Sequence, residues 1–118
     1  MLSHHTALKL AHQPSRSRVT PAFRELLERD AVCREIVQYL MRHSEAADTA
    51  RGIAEWWINR DVPSTREALS RLQEYGVVQS YMVQGDTFVY AYTKRAVLRQ
   101  SLARYLKETV APPAAKEL

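Results

Sequence analysis

Apolar residues recur at steps of three and four along the first half of the chain, a spacing that predicts short amphipathic helices. Thr20 followed by Pro21 is a typical helix start, with threonine as the N-cap and proline at the first helical position, and predicts a helix over residues 21–29. Asp30 can cap a second helix over residues 31–43. Its apolar face comprises Val32, Ile36, Val37, Leu40 and Met41.

Residues 48–78 predict a helix-turn-helix that runs directly into a strand. Asp48 or Thr49 can cap the first short helix of this unit. Ser64 and Glu67 fit a capping box at the start of the second helix, in which the hydroxyl and the carboxylate each bond a free backbone N–H. Gly76 stands where a left-handed C-cap ends that helix.

Two segments rich in Val, Tyr and Phe follow, over residues 77–83 and 87–92, and the connection between them contains Gly85-Asp86. This pattern predicts a β-hairpin with a tight turn. Both faces of the hairpin carry large side chains, so we expect one face on the core and the other covered by something else. A last amphipathic helix, over residues 94–110, is the candidate cover.

A chain of 118 residues with 46% hydrophobic composition is expected to bury one core. We therefore predict a single domain over residues 20–110, preceded by a mobile basic arm (1–19) and followed by a disordered tail (111–118). Its class is mainly α with a small β-hairpin, that is, α+β. No apolar run approaches the roughly 18 residues that span a bilayer and no secretion signal is visible, so a cytoplasmic protein is expected.

The net charge of +4 is distributed unevenly along the chain. Residues 1–29 carry five Lys/Arg and two Glu, residues 94–118 carry six Lys/Arg and two Glu, and residues 30–93 carry six Arg against nine Asp/Glu. No Lys or Arg occurs between Leu72 and Thr93, and Asp86 lies near the hairpin tip. Basic arms therefore flank an acidic core with a hairpin that lacks cations.

Catalytic and metal chemistry find little support in the sequence. The single Cys33 excludes an internal disulfide and a cysteine-based zinc site, and its apolar surroundings favour a small buried side chain. His4, His5 and His12 lie in the N-terminal arm, where nothing makes them converge on a metal. Three glycines give no phosphate-binding loop, and no nucleophile is paired with a base. We expect no enzymatic activity, no metal and no cofactor.

The order helix, helix, turn, capped helix and hairpin over residues 31–93 resembles the winged helix-turn-helix superfamily. Ile53-Ala54 in the second of these helices and the run over residues 64–78 are especially similar to bacterial repressors. The resemblance implies a transcriptional regulator that binds double-stranded DNA as a homodimer, with helix 65–75 in the major groove. The candidate DNA contacts on this helix are Ser64, Thr65, Arg66, Ser70 and Arg71, and those on the basic arms are Arg16, Arg18, Lys94 and Arg95.

A protein-protein interaction module that binds no nucleic acid is the alternative interpretation, because helix 65–75 balances its arginines with glutamates and the hairpin lacks cations. Trp56 and Trp57 point about 100° apart on a helix, and Trp57 is the better core residue. Trp56 lies either at the core edge, which we favour, or on the surface as a partner anchor. The candidate dimer contact is the stripe on the last helix, Leu98, Leu102, Tyr105 and Leu106.

Overall fold

The computed structural model describes residues 18–109. Along the chain the elements are α1 (Pro21–Arg29), α2 (Ala31–Arg42), β1 (Ala47–Asp48), α3 (Ala50–Gly52), a π-helical segment (Ile53–Trp57), α4 (Val62–Glu74), β2 (Val78–Val83), β3 (Thr87–Tyr92) and α5 (Ala96–Thr109). The three strands form one antiparallel sheet in the order β1-β3-β2. The predicted class, mainly α with a small β component, is confirmed. The predicted arm and tail lie largely outside the described residues.

The first two helices begin at the predicted caps. The Thr20 hydroxyl accepts a hydrogen bond from the Phe23 N–H at 3.1 Å, and the Asp30 carboxylate accepts one from the Cys33 N–H at the same distance. Each bond satisfies a backbone donor that the first helical turn leaves free. The second helix ends at Arg42, one residue before the predicted end.

The helix that follows Thr49 changes its character after Gly52. Thr49 caps it as predicted, but over Ile53–Trp57 the backbone winds as a π-helix, in which the N–H of Ile58 donates to the carbonyl of Ile53 at 3.2 Å. The wider turn seats Trp57 against Tyr39, with stacked rings whose centroids lie 4.5 Å apart. Trp56 is left 80% exposed, so our preferred placement at the core edge was wrong.

Helix α4, the second helix of the predicted helix-turn-helix, begins three residues earlier than the capping box indicated. Asp61 is the N-cap, and its carboxylate accepts a hydrogen bond from the Ser64 N–H at 2.8 Å. Pro63 occupies the first turn, where no N–H is needed. The predicted capping box is therefore wrong, and Ser64 lies inside the helix. At the other end Gly76 has the left-handed φ of 78° that was predicted for the C-cap.

The wing, which we define as β2, β3 and the loop over residues 84–86, is the predicted hairpin. Met82 pairs with Phe88, and Val83 pairs with Thr87 next to the loop. The two-residue strand β1 was not predicted; it adds to the other side of β3, with Ala47 opposite Ala91. Two residues are too short to show the alternation that identifies a strand.

All the helices and the base of the wing contribute to one core. Leu98 and Leu102 of α5 pack there with side chains of α1, α2 and α4, and they are nearly inaccessible to solvent. The chain before α1 is joined to α5 by a hydrogen bond from the Val19 N–H to the Ser101 hydroxyl at 2.9 Å. The last helix therefore closes the domain and is part of it. Other large side chains that are almost fully buried in the core include Phe23, Leu27, Ile36, Leu40, Ile53, Leu69 and Leu72.

Candidate nucleic-acid interface

Helix α4 presents one arginine without a partner among residues 18–109. Arg66 is exposed one turn from the N-terminus of the helix, and no ion pair or hydrogen bond joins its side chain to another described residue. Ser70, one turn further on, is also exposed, whereas Ser64 is half-buried. Arg66 and Ser70 therefore offer a cation and a hydroxyl on the same side of the helix at i and i+4.

Arg71 differs from Arg66 because two carboxylates hold it. Its guanidinium donates to Asp30 at 3.3 Å and lies 4.0 Å from the carboxylate of Glu67. Asp30 is also the cap of α2, so this ion pair joins α2 to α4. The sequence does not distinguish these two arginines. In the structure Arg71 is bound by carboxylates, so Arg66 has the charge that is more available to a ligand.

Thr65 does not face a ligand. Its side chain is 0% exposed, and its hydroxyl donates to the backbone carbonyl of Asp61 at 2.8 Å. The prediction that Thr65 contacts DNA was wrong, because the inward stripe of α4 includes this position. Its hydroxyl bonds back to the carbonyl four residues earlier, which satisfies a buried polar group.

The flanking cations lie on exposed chain. Arg18 precedes α1, and Lys94 and Arg95 join the wing to α5, which begins at Ala96 instead of residue 94. The N–H of Arg95 donates to the hydroxyl of Thr93 at 3.1 Å. All three described cations are exposed. Arg16, the fourth predicted arm contact, lies outside the described residues.

Arg99, in contrast, is used inside the domain. Its Nε donates to the carbonyl of Thr93 at 2.6 Å, its guanidinium lies 4.8 Å from the ring centroid of Tyr92, and it pairs with Glu45 at 3.7 Å. This cation therefore fixes the base of the wing to α5. Burial raises the pKa of the Tyr92 hydroxyl to about 12, and the positive charge of Arg99 offsets only part of that rise.

A second ion pair fixes the turn before α4. Arg60 donates to both carboxylate oxygens of Glu35, at 2.7 and 2.8 Å, in the two-pronged geometry that suits a guanidinium. The hydrogen bonds from Arg60 hold the pKa of Glu35 below its usual range. Sequence reasoning missed both this pair and Asp30–Arg71, because their partners lie 25 and 41 residues apart and no local pattern joins them. Of the partners of Arg71, only Glu67 is indicated by the sequence, because the two residues have the i,i+4 spacing of an ion pair on a helix.

The outer half of the wing is apolar and exposed. Met82 is 60% exposed, and its cross-strand partner Phe88 is exposed beside it, as are Tyr81 and Val83. Within residues 18–109 no other element covers these side chains. The expectation that α5 covers the second face was wrong for this half of the hairpin, because α5 packs on the core.

The predicted partner residues separate into two groups. Trp56 is on the surface, as a partner anchor needs to be. The stripe on α5 is not, since Leu98, Leu102, Tyr105 and Leu106 are at most 5% exposed in the single chain. These four side chains form the core of their own domain, so the predicted dimer contact through them was wrong.

Residues 18–109 offer neither a metal-ligand cluster nor a membrane-spanning helix. Among residues 18–109 no group of three or more His, Cys, Asp or Glu side chains is arranged to hold a metal ion. None of the helices in that range has both the length and the apolar character that crossing a bilayer requires. Burial, followed by the nearby carboxylate of Asp30, raises the pKa of the Cys33 thiol to about 12. Cys33 is therefore an unreactive core residue.

A helix pair joined by a tight turn, followed by an antiparallel hairpin and closed by a short third strand, defines a winged helix-turn-helix. No protein-family model matches the chain, and no curated protein matches it. Two solved structures of a double mutant of Lactococcus lactis ZitR are similar to it. The first has 21% identity and a TM-score of 0.51, and the match covers 70% of this chain and 57% of that chain. The second, in apo form, has 17% identity and a TM-score of 0.52 over 99% of this chain and 81% of that one. These similarities support the winged-helix fold.

Proposed function

We propose that this protein binds double-stranded DNA through α4 and regulates transcription. The observation that carries the proposal is Arg66, which is exposed in the first half of the recognition helix of a winged-helix fold and has no partner among the described residues. In this fold the N-terminal half of that helix contacts base edges in the major groove. The two similar structures of the Lactococcus lactis ZitR double mutant support the fold on which this proposal is built.

Arg66 is the proposed base-reading residue. An arginine presents two donors in a fixed geometry that matches O6 and N7 of guanine, a contact worth roughly 1 to 3 kcal/mol of discrimination against another base. Ser64 and Ser70 flank it and serve as hydrogen-bonding groups for phosphate or base edges. Arg71 contributes less, because Asp30 and Glu67 already share its charge.

Phosphate contacts come from the arms in this proposal. Arg18 is exposed before α1, Lys94 and Arg95 are exposed between the wing and α5, and Arg16 lies two residues before Arg18. The wing contributes no cation, and Arg51 near the start of α3 is paired with Glu55 at 3.1 Å. Affinity therefore depends on chain that flanks the helix-turn-helix, as it does in proteins whose basic arms follow the DNA backbone.

A homodimer is part of the proposal, because two recognition helices one helical turn of DNA apart read a two-fold symmetric site. The stripe of α5 is occupied by the core, so the contact between the two copies lies elsewhere on the surface.

The proposal is tested by measuring the affinity of Arg66→Ala for a panel of DNA duplexes, with Arg104→Ala as the control. Arg104 is exposed on α5 and outside the candidate set, so both variants lose one positive charge. We expect Arg66→Ala to weaken binding about tenfold or more and to relax the preference at one base pair. Equal losses in the two variants would show that Arg66 contributes only its charge.

A second candidate function is a protein interaction module, favoured by the 80% exposure of Trp56 and by the apolar outer half of the wing. Exposed tryptophans concentrate binding energy at protein interfaces. The two functions differ in one measurement. A module of this kind does not bind DNA at low salt, whereas the regulator does.

A further inference from the structure

Strand β2 forms a free edge of the sheet. The strand order is β1-β3-β2, so only one side of Val78–Val83 is paired, with β3. No backbone hydrogen bond joins its outer side to another element of residues 18–109. An edge of this kind carries a row of N–H and C=O groups that a further strand can pair with.

The opposite edge of the sheet is protected and β2 is not. Strand β1 has only two residues, one of which is the charged Asp48, and short or charged edge strands resist pairing. Strand β2 has six residues and contains no charge and no proline. The surrounding stretch, residues 75–85, is also free of Asp, Glu, Lys and Arg.

The side chains of β2 favour burial beside another strand. Tyr81, Met82 and Val83 are residues that strands prefer or that pack well at interfaces, and all three are exposed. Met82 and Phe88 form a cross-strand apolar pair on one face of the outer half of the wing, and Tyr81 and Val83 lie on the other face, both beside the free edge. A strand paired with β2 would place its own side chains beside these on each face and cover part of their apolar surface.

We propose that β2 pairs antiparallel with β2 of a second copy of this chain across a two-fold axis, making one six-stranded sheet from two wings. A two-fold contact brings the strand against its own copy, so a charge near the axis would lie close to the same charge of the other copy. The uncharged stretch 75–85 meets this condition. The charge-bearing arms lie outside it.

A second copy fits this edge better than DNA does. Phosphates need cations, and no Lys or Arg occurs between Leu72 and Thr93, while Asp86 in the wing loop repels them. The inference specifies the interface of the homodimer in the proposed function. It needs no DNA, so the two proposals are tested separately.

Sedimentation equilibrium of the full chain without DNA tests this interface. Tyr81→Lys places a cation on the edge strand at an exposed position near the middle of β2, and two such lysines would lie close together across the two-fold axis. The control is Val97→Lys, which puts the same charge on an exposed apolar residue of α5. Because both sites are exposed, the fold should survive, and far-UV circular dichroism checks this.

We expect a wild-type dimer, a dissociation constant raised at least about tenfold in Tyr81→Lys, and little change in Val97→Lys. Amide hydrogen exchange at residues 79–83 should also slow as the wild-type concentration rises, because pairing protects the outer N–H groups. A monomeric wild type at high micromolar concentration overturns the proposal. An unchanged dimer in Tyr81→Lys, or dissociation by Val97→Lys alone, overturns it as well. If the dimer behaves as expected but no DNA is bound, the DNA-binding function alone fails.

Discussion

The carboxylate of Asp30 joins two helices, because one oxygen accepts the N–H of Cys33 at 3.1 Å and the other accepts the guanidinium of Arg71 at 3.3 Å. The first bond caps α2, and the second restrains an arginine on α4. A change at Asp30 can therefore alter the stability of one helix and the free charge on another.

We predict that Asp30→Asn binds DNA more tightly than the wild type, because the amide keeps the cap but releases Arg71. Its stability should change by no more than about 1 kcal/mol, the scale of a partly exposed ion pair. Asp30→Ala should lose a further ~1 kcal/mol through the missing cap. Urea unfolding and DNA titration of both variants check this. Weaker DNA binding by Asp30→Asn would mean that the Asp30–Arg71 pair orients the helix for binding.

The start of α4 gives a second prediction. Asp61→Ala should lower the urea midpoint more than Ser64→Ala does, because the Asp61 carboxylate accepts the Ser64 N–H at 2.8 Å. Hydrogen bonds from Ser64 hold the pKa of Asp61 below its usual value. The stabilisation from Asp61 is therefore present above the unfolded-state pKa, near 4, and is lost as the pH falls through the lower folded value. If Ser64→Ala lowered the urea midpoint more than Asp61→Ala, Ser64 would be the N-cap and the helix would begin at the capping box.

Stability should fall on the alkaline side because of two buried groups. Burial raises the pKa of Cys33 and of Tyr92 to about 12, whereas the unfolded chain ionises them at lower pH. Above about pH 9 the unfolded state therefore binds fewer protons than the folded state, and the free energy of unfolding falls as the pH rises. Urea midpoints from pH 7 to 11 measure this. Cys33→Ala should flatten the first part of the decline, and an unaltered pH profile in that variant would contradict its burial as a neutral thiol.

The two tryptophans should give separable fluorescence. Trp56 is 80% exposed, whereas Trp57 stacks on Tyr39. We expect Trp56→Phe to remove the emission that acrylamide quenches readily and to leave stability nearly unchanged. Trp57→Phe should instead lower stability, by about 1 kcal/mol, through poorer packing and stacking. Equal quenching of the two single-tryptophan variants would place both rings in similar surroundings, against the structure.

Local signals explain which parts of the fold could be predicted. Thr20, Asp30 and Gly76 act on backbone groups within a few residues, so their types and positions identify the helix ends. The start of α4 was predicted wrongly because Asp61 and Ser64 are both good N-cap residues and lie only three residues apart. Pro63 favours the earlier one, since it fits the first helical turn. The π-helical segment has no comparable local marker, so the exposure of Trp56 could not be predicted.

The candidate site depended more on distant contacts. The periodicity of α5 predicted an apolar stripe correctly, but the same stripe serves a core or a dimer, and the pattern contains no information on what covers it. Likewise, the sequence makes Arg66 and Arg71 equally good candidates for a DNA contact. Their difference comes from Asp30, 41 residues before Arg71. Thr65 shows the opposite case, because it shares the helical spacing of Ala68, Leu69 and Leu72, and this local pattern is typical of a buried helix face.

The affinity of the full chain for a mixed-sequence DNA duplex over a series of salt concentrations tests the central claim most directly. Each phosphate contact contributes about 0.9 to the slope of log affinity against log salt. With Arg66 and the arm cations engaged, we predict a linear fall with a slope of roughly −3 to −5 for each protomer. Binding that is undetectable even at low salt would contradict the account and leave the protein interaction module in its place.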